Sequence, residues 1–139
     1  MNWLTWSLLS AGFAGATAIL AKVGVSGIES NLATAVRTSF VLVFAWLVAL
    51  QSGPLAAIAD IPRRTWLFLG LSGLATALSW ICYFRALQLG EASKVAPIDK
   101  LSVVFVLVLA AIFLGETLTW RTVAGGALIT GGAILLALK

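Results

Sequence analysis

Trp66 to Leu89, WLFLGLSGLATALSWICYFRALQL, is a run of 24 residues with a single formal charge, Arg85. At about 1.5 Å of rise per residue, a helix of this length covers the ~30 Å hydrocarbon core of a bilayer. The reading extends outward in both directions. Trp3 to Val25 and Leu32 to Leu50 precede this stretch, and Val95 to Leu114 and Trp120 to Leu138 follow it. Each comes near the ~20 residues that a membrane-spanning helix requires. The expected fold is an all-α integral membrane protein, a five-transmembrane-helix bundle forming one domain over residues 1–139.

Composition agrees with this. Hydrophobic residues make up 61% of the chain and charged residues 10%, against roughly 25% charged in soluble domains. A water-facing surface could not be covered. Only the connection Gln51 to Thr65 is long, which leaves no room for a second domain. The single Cys82 excludes an intramolecular disulfide. The first span follows Met1 and Asn2 without a basic leader and exceeds the apolar core of a cleaved signal, so it is expected to be retained. The nine Lys and Arg give a net charge of +4, but they are scattered at helix ends. That pattern suits snorkelling to lipid headgroups and speaks against nucleic acid as a partner.

Five spans put the termini on opposite sides of the membrane. The N-terminal side then holds Arg63, Arg64 and Arg121, and the C-terminal side Lys22, Arg37, Arg85, Lys94, Lys100 and Lys139. Lys22, Arg37, Arg85 and Lys100 lie within or at the edges of the apolar stretches, and without them the balance is nearly even. The positive-inside rule therefore sets no orientation. Trp3, Trp6, Trp46, Trp66 and Trp120 gather toward the N-terminal side, as an interfacial aromatic belt does.

Leu89-Gly90-Glu91 and Leu114-Gly115-Glu116 repeat one pattern, in which Gly takes a left-handed cap and Glu approaches the start of the next helix. Pro97 is expected in the first turn of the fourth helix. Small residues mark faces for close packing between helices. On the fifth helix these are Gly126, Thr130, Ala133 and Ala137, with Gly125 and Gly132 alongside, serving intramolecular packing or a dimer seam. On the first helix, Ala11, Gly15 and Ala18 share a face with Lys22, which directs Lys22 along a protein-facing groove.

The polar candidates follow. Lys22, Arg37, Arg85, Asp99 and Lys100 fall at one level near the C-terminal side, so inward-facing cations there would favour an anionic or zwitterionic solute. Asp99 is a candidate for ion pairing or coupling, with helix-dipole stabilisation as the competing account. On the third helix Ser72, Thr76, Ser79 and Tyr83 share a stripe bordered by Trp80, either a solute path or interhelical hydrogen bonding. Arg85 lies about 200° around the helix from Tyr83 at 3.6 residues per turn, so the two cannot both face one cavity without bending. The chain has no His, no metal-spaced ligand cluster and no phosphate loop, so an enzyme, a bound metal and a cofactor are not expected.

Tyr83-Phe84-Arg85-Ala86-Leu87-Gln88-Leu89-Gly90-Glu91-Ala92-Ser93-Lys94-Val95-Ala96-Pro97 resembles the EamA-type domain of the drug/metabolite transporter superfamily. The resemblance continues through Leu101-Ser102-Val103-Val104-Phe105, Phe113-Leu114-Gly115-Glu116, Leu118-Thr119 and the glycine-bearing 126–132 segment, and covers essentially the whole chain. Most members carry two five-helix repeats, whereas this chain resembles the single-repeat bacterial and archaeal subgroup, to which Pro97-Ile98-Asp99-Lys100-Leu101 looks characteristic. Val103 stands where the family often has Pro, which removes the sequence reason for a helix break there. The related small multidrug-resistance proteins use an acid in their first helix, and this chain has none before Glu29.

The resemblance implies a secondary transporter in the inner (plasma) membrane, working by alternating access. The residue pattern adds a small polar solute, anionic or zwitterionic. Lys22, Arg37 and Lys100 would meet its anionic group, Trp80 and Tyr83 its body, and Asp99 and Arg85 would pair or couple. Two head-to-tail copies of a five-span unit form an inverted repeat, so a lone copy is expected to act as a homodimer, and near-even loop charges permit an antiparallel one. The alternatives are a flippase for a lipid-linked metabolite and a non-transporting assembly partner.

Overall fold

The computed structural model describes residues 2–53 and 55–138. Met1, Pro54 and Lys139 lie outside the described residues, so the terminal charge assigned to the C-terminal side is not placed. The described residues form helices and no strand: α1 Trp3–Gly24, α2 Ser30–Ser52, α3 Arg63–Leu89, α4 Ala92–Asp99, α5 Ser102–Leu109 and α6 Trp120–Ala137, with a short 3₁₀ turn at Leu55–Ile58 and a π turn at Ala110–Leu114. Taking Ala92–Leu114 as one segment, five helical segments are long and apolar enough to cross a membrane. The protein is an all-α, multi-pass membrane protein.

Local chemistry fixes the helix ends. The Asn2 side chain accepts from the Thr5 N–H at 3.0 Å and opens α1. Glu29 caps α2, accepting from the Leu32 N–H at 2.9 Å. Thr119 caps α6, accepting from the Thr122 N–H at 3.2 Å. Glu116 therefore does not cap the final helix. Glu91 holds the N-cap position of α4 but pairs with Lys94 at 3.2 Å instead of capping through its side chain. Gly115 is left-handed, with φ 69°, and the Glu116 N–H returns to the Ala110 carbonyl across the tightened end. Gly27, in the α1–α2 connection, also has positive φ.

Arg63 and Arg64 belong to the first turn of α3 rather than to the preceding loop. Arg64 lies over the Phe68 ring, 5.8 Å from its centroid.

The fourth span differs most from its expected form. It begins at Ala92, so Pro97 sits in the second turn and Asp99 ends α4 instead of lying in a first turn. Pro97 has no N–H to donate. Beyond it the chain tightens into i→i−3 bonds, Leu101 to Ile98, Val103 to Lys100 and Val104 to Leu101. The helix is thus interrupted at Lys100–Leu101, even though Val103 is not Pro.

The chain forms two compact units, Met1–Leu20 with Leu89–Lys139, and Ala21–Gln88. In the first unit α6 packs on α4 and α5. Gly126 and Ala133 are buried, and Gly126 faces Leu107 so closely that a Cβ would stand 3.1 Å from Leu107 Cδ1. In the second unit the core forms where three helix ends meet: Ala21 and Val25 from α1 and its exit, Ser30, Ala33 and Thr34 from α2, and Phe84 and Leu87 from α3. Leu87 and Val25 are 0% and 1% exposed. The remaining apolar surface faces outward, as lipid contact permits.

Candidate functional site

The second unit contains a cavity of about 600 Å³ between α2 and α3. From α2 it is lined by Asn31, Thr34 and Thr38, and from α3 by Ser72, Gly73, Thr76 and Trp80, with Leu69, Ala35, Ala77 and Ile81 completing an apolar wall. On α3 the lining repeats at 72, 76 and 80, one residue per turn, which puts these side chains on one face. The stripe expected from the sequence is therefore rotated. Ser72 and Thr76 reach the cavity, Trp80 joins them, and Ser79 and Tyr83 are not among its lining residues. Thr34 and Thr38, one turn apart on α2, were not singled out by the sequence. Their i, i+4 spacing inside an apolar run was the available signal.

Arg37 is not among the lining residues but packs on one of them, Trp80. Its guanidinium lies over the Trp80 ring at 4.2 Å from the centroid and within 5.6 Å of the Phe84 centroid. Such stacking contributes ~0.5–2 kcal/mol, more as water is excluded. Nη1 is buried and has no hydrogen-bond partner among the described residues. A buried donor left unpaired costs ~1–3 kcal/mol, more when charged. A fixed cation thus packs on a residue of the cavity wall, oriented by two aromatic rings, with one buried N–H that has no acceptor among the described residues.

The other cations are engaged differently. Lys22 donates to the Leu87 carbonyl at 2.6 Å, which satisfies an end carbonyl of α3 and places positive charge at the negative pole of that helix. Of the expected α1 face, Ala18 is buried, but Ala11 and Gly15 are exposed. Arg85 donates to Gln88 Oε1 at 2.7 Å, and Gln88 donates to the Ile28 carbonyl at 2.9 Å, tying the end of α3 to the α1–α2 connection. Tyr83 is half-buried next to Phe84. Asp99 and Lys100 belong to the first unit and pair with each other at 3.5 Å, both substantially solvent-accessible. The structure thus joins Arg37 with Trp80 and gives Lys22 and Arg85 structural hydrogen bonds, while Asp99 and Lys100 form a pair of their own. On α6, Gly126 and Ala133 are buried, Gly125 and Thr130 are half-buried and Gly132 is exposed.

Residues 1–138 match the EamA-like transporter family. The chain belongs to this family. It is also 51% identical over 136 residues to an "uncharacterized transporter in cobO 3'region" of Sinorhizobium sp., covering 98% of this chain and 96% of that protein. No solved structure matches. Membership in the EamA-like family points to a membrane transporter rather than an enzyme. The candidate site of this EamA-like protein lies within its first three helices.

Proposed function

We propose that this EamA-like protein is a secondary transporter of a small polar solute carrying an oxyanionic group, and that the α2–α3 cavity is its binding site. The observation that carries the reading is Arg37. A guanidinium laid on Trp80, a residue of the cavity wall, with a buried N–H that has no acceptor among the described residues, supports recognition of a carboxylate or similar group on a movement of Trp80 that exposes it. The outward-facing apolar surface and the odd number of spans support a homodimer, in which an antiparallel second copy completes an inverted repeat around the site. A cell inner membrane is the location this reading requires.

A thermal-shift screen of metabolites on the purified protein tests it, because a ligand for the folded state stabilises it by about 2.7 kcal/mol at 100-fold excess over Kd. The hit is then followed into proteoliposomes. Arg37→Ala should lower flux about tenfold or more, the scale of one charged hydrogen bond. Arg37→Lys should recover part of it, since the charge remains and the planar fork is lost. Equal flux in wild type and Arg37→Ala would remove the oxyanion site. Activity only in the presence of a stoichiometric membrane partner would favour an assembly role.

A further inference from the structure

The two rings that hold the Arg37 guanidinium, Trp80 at 4.2 Å and Phe84 at 5.6 Å, are one turn apart on α3 but are not equivalent. Phe84 is 3% exposed, fixed in the packed core where the ends of α1, α2 and α3 meet. Trp80 is half-buried and borders the cavity of about 600 Å³. A helical side chain leans over the turn N-terminal to its own Cα. For Trp80 that ground is Ala77 and Thr76, with Gly73 a turn further on, all of them lining residues, and a Cβ added at Gly73 would meet nothing within 4 Å. Small neighbours and an open space give the indole room to swing that Phe84 lacks. Trp80 also stands between the cation and that space, since it lines the cavity and Arg37 does not. A ring face attracts the charge of a guanidinium but does not satisfy its in-plane N–H groups, and Nη1 is buried without an acceptor among the described residues. A carboxylate accepts two such N–H groups at once, and a charged hydrogen bond to a buried donor outweighs the ring contact it displaces.

We propose that Trp80 is a positioning residue that covers Arg37 while the cavity is empty and swings into the open space when an oxyanion takes over the guanidinium. The indole and the solute then compete for one cation. An oxyanion binds more weakly than it would to a bare Arg37, by the fraction of time the ring is away. A neutral solute of the same shape offers the guanidinium nothing that it prefers to the ring, so the pair stays closed. Charge, rather than fit alone, becomes the condition for reaching Arg37. This inference rests on the reading of Arg37 and the α2–α3 cavity as the solute site.

Benzoate and benzamide share one body and differ in charge, and both can be titrated by calorimetry onto the protein in lipid nanodiscs. Trp80→Leu removes the attraction of the ring but keeps an apolar wall, and should tighten benzoate about tenfold while leaving benzamide unchanged. Trp80→Phe, whose ring attracts a cation less, should fall between Trp80→Leu and the wild type, and it decides the sign if Trp80→Leu does not fold. In an Arg37→Gln background, removal of the indole should no longer tighten benzoate. A ring that only contacts the solute or supports the fold predicts the opposite sign. Weaker or unchanged benzoate binding in the Trp80 variants, or equal tightening of benzamide, therefore overturns the inference. In that event, if Arg37→Gln alone still weakens benzoate, Arg37 stands as the oxyanion site and only the role of Trp80 falls. If benzoate binds neither the wild type nor the Trp80 variants, or Arg37→Gln leaves its binding intact, the reading of the site falls and takes the inference with it.

Discussion

Glu29 sits just before the second span, where one carboxylate joins several backbone donors. The N–H groups of Asn31 and then Leu32 hold its carboxyl below the ordinary value of 4.5, with smaller help from the Ser30 hydroxyl and the Arg85 charge. A carboxyl whose folded-state pKa is depressed stabilises the fold above its unfolded value, and that contribution is lost as pH falls through the folded value. The thermal midpoint of the wild type in detergent should therefore drop more steeply below about pH 4.5 than that of Glu29→Gln, whose capping amide does not titrate. Parallel pH profiles would show that the cap contributes nothing to stability. Ser30, 2% exposed directly after it, starts α2 inside the core of the unit, so loss of the cap should loosen a packed helix end.

Helix α6 shows how an element can present two unequal faces. The Gly126 side meets α5 through Leu107, whereas a Cβ at Gly125 or Gly132 would meet nothing within 4 Å. Gly126→Ala asks Leu107 Cδ1 to move by a few tenths of an ångström and gains helix propensity of about 1 kcal/mol, so stability should stay within about 1 kcal/mol of wild type. Gly126→Leu cannot be absorbed this way and should cost ~1–3 kcal/mol in thermal or denaturant unfolding. Gly132→Leu should leave the monomer's stability unchanged. If Gly126→Leu unfolds like the wild type, α6 does not pack on α5 as described. The interrupted fourth span follows from a comparable local cause. Pro97 removes one donor, and the i→i−3 bonds after it place Asp99 and Lys100 at an irregular joint between two short helices.

At the scale of the molecule, the dominant fact is how little of each span is covered. At most 11% of the residues in the apolar window of any span are buried within the chain. Lipid covers such surface without penalty, and a second copy can cover it equally well. The antiparallel homodimer proposed above requires that copies insert in both directions. Cys82 is the single cysteine, so a Cys82→Ser background with a cysteine at exposed Asp60, in the connection between α2 and α3, reports orientation. A membrane-impermeant maleimide should label comparable fractions of Asp60→Cys from the two sides of the membrane. Labelling from one side alone would exclude antiparallel pairing.

Much of this was legible in the sequence because the bilayer is a severe solvent. An unbroken apolar run such as Trp66 to Leu89 has few alternatives to a spanning helix, since every backbone polar group in lipid must be paired within the segment. Hence the number of spans and their helical state, along with the EamA-type motifs from Tyr83 onward, were readable directly. Which polar side chains meet was not, because contact depends on helix rotation and on distances between segments remote in sequence. Lys22 reaches a carbonyl of residue 87, and Gln88 one of residue 28. A helical stripe read from residue types could not tell Tyr83 from Trp80 at the cavity wall. The sequence by itself determined a five-span helical chain of the EamA-like family. Only the tertiary structure decided that Arg37 rests on Trp80, at the wall of a cavity between α2 and α3, because one residue's rotation on a helix changes its neighbours while leaving its hydropathy the same.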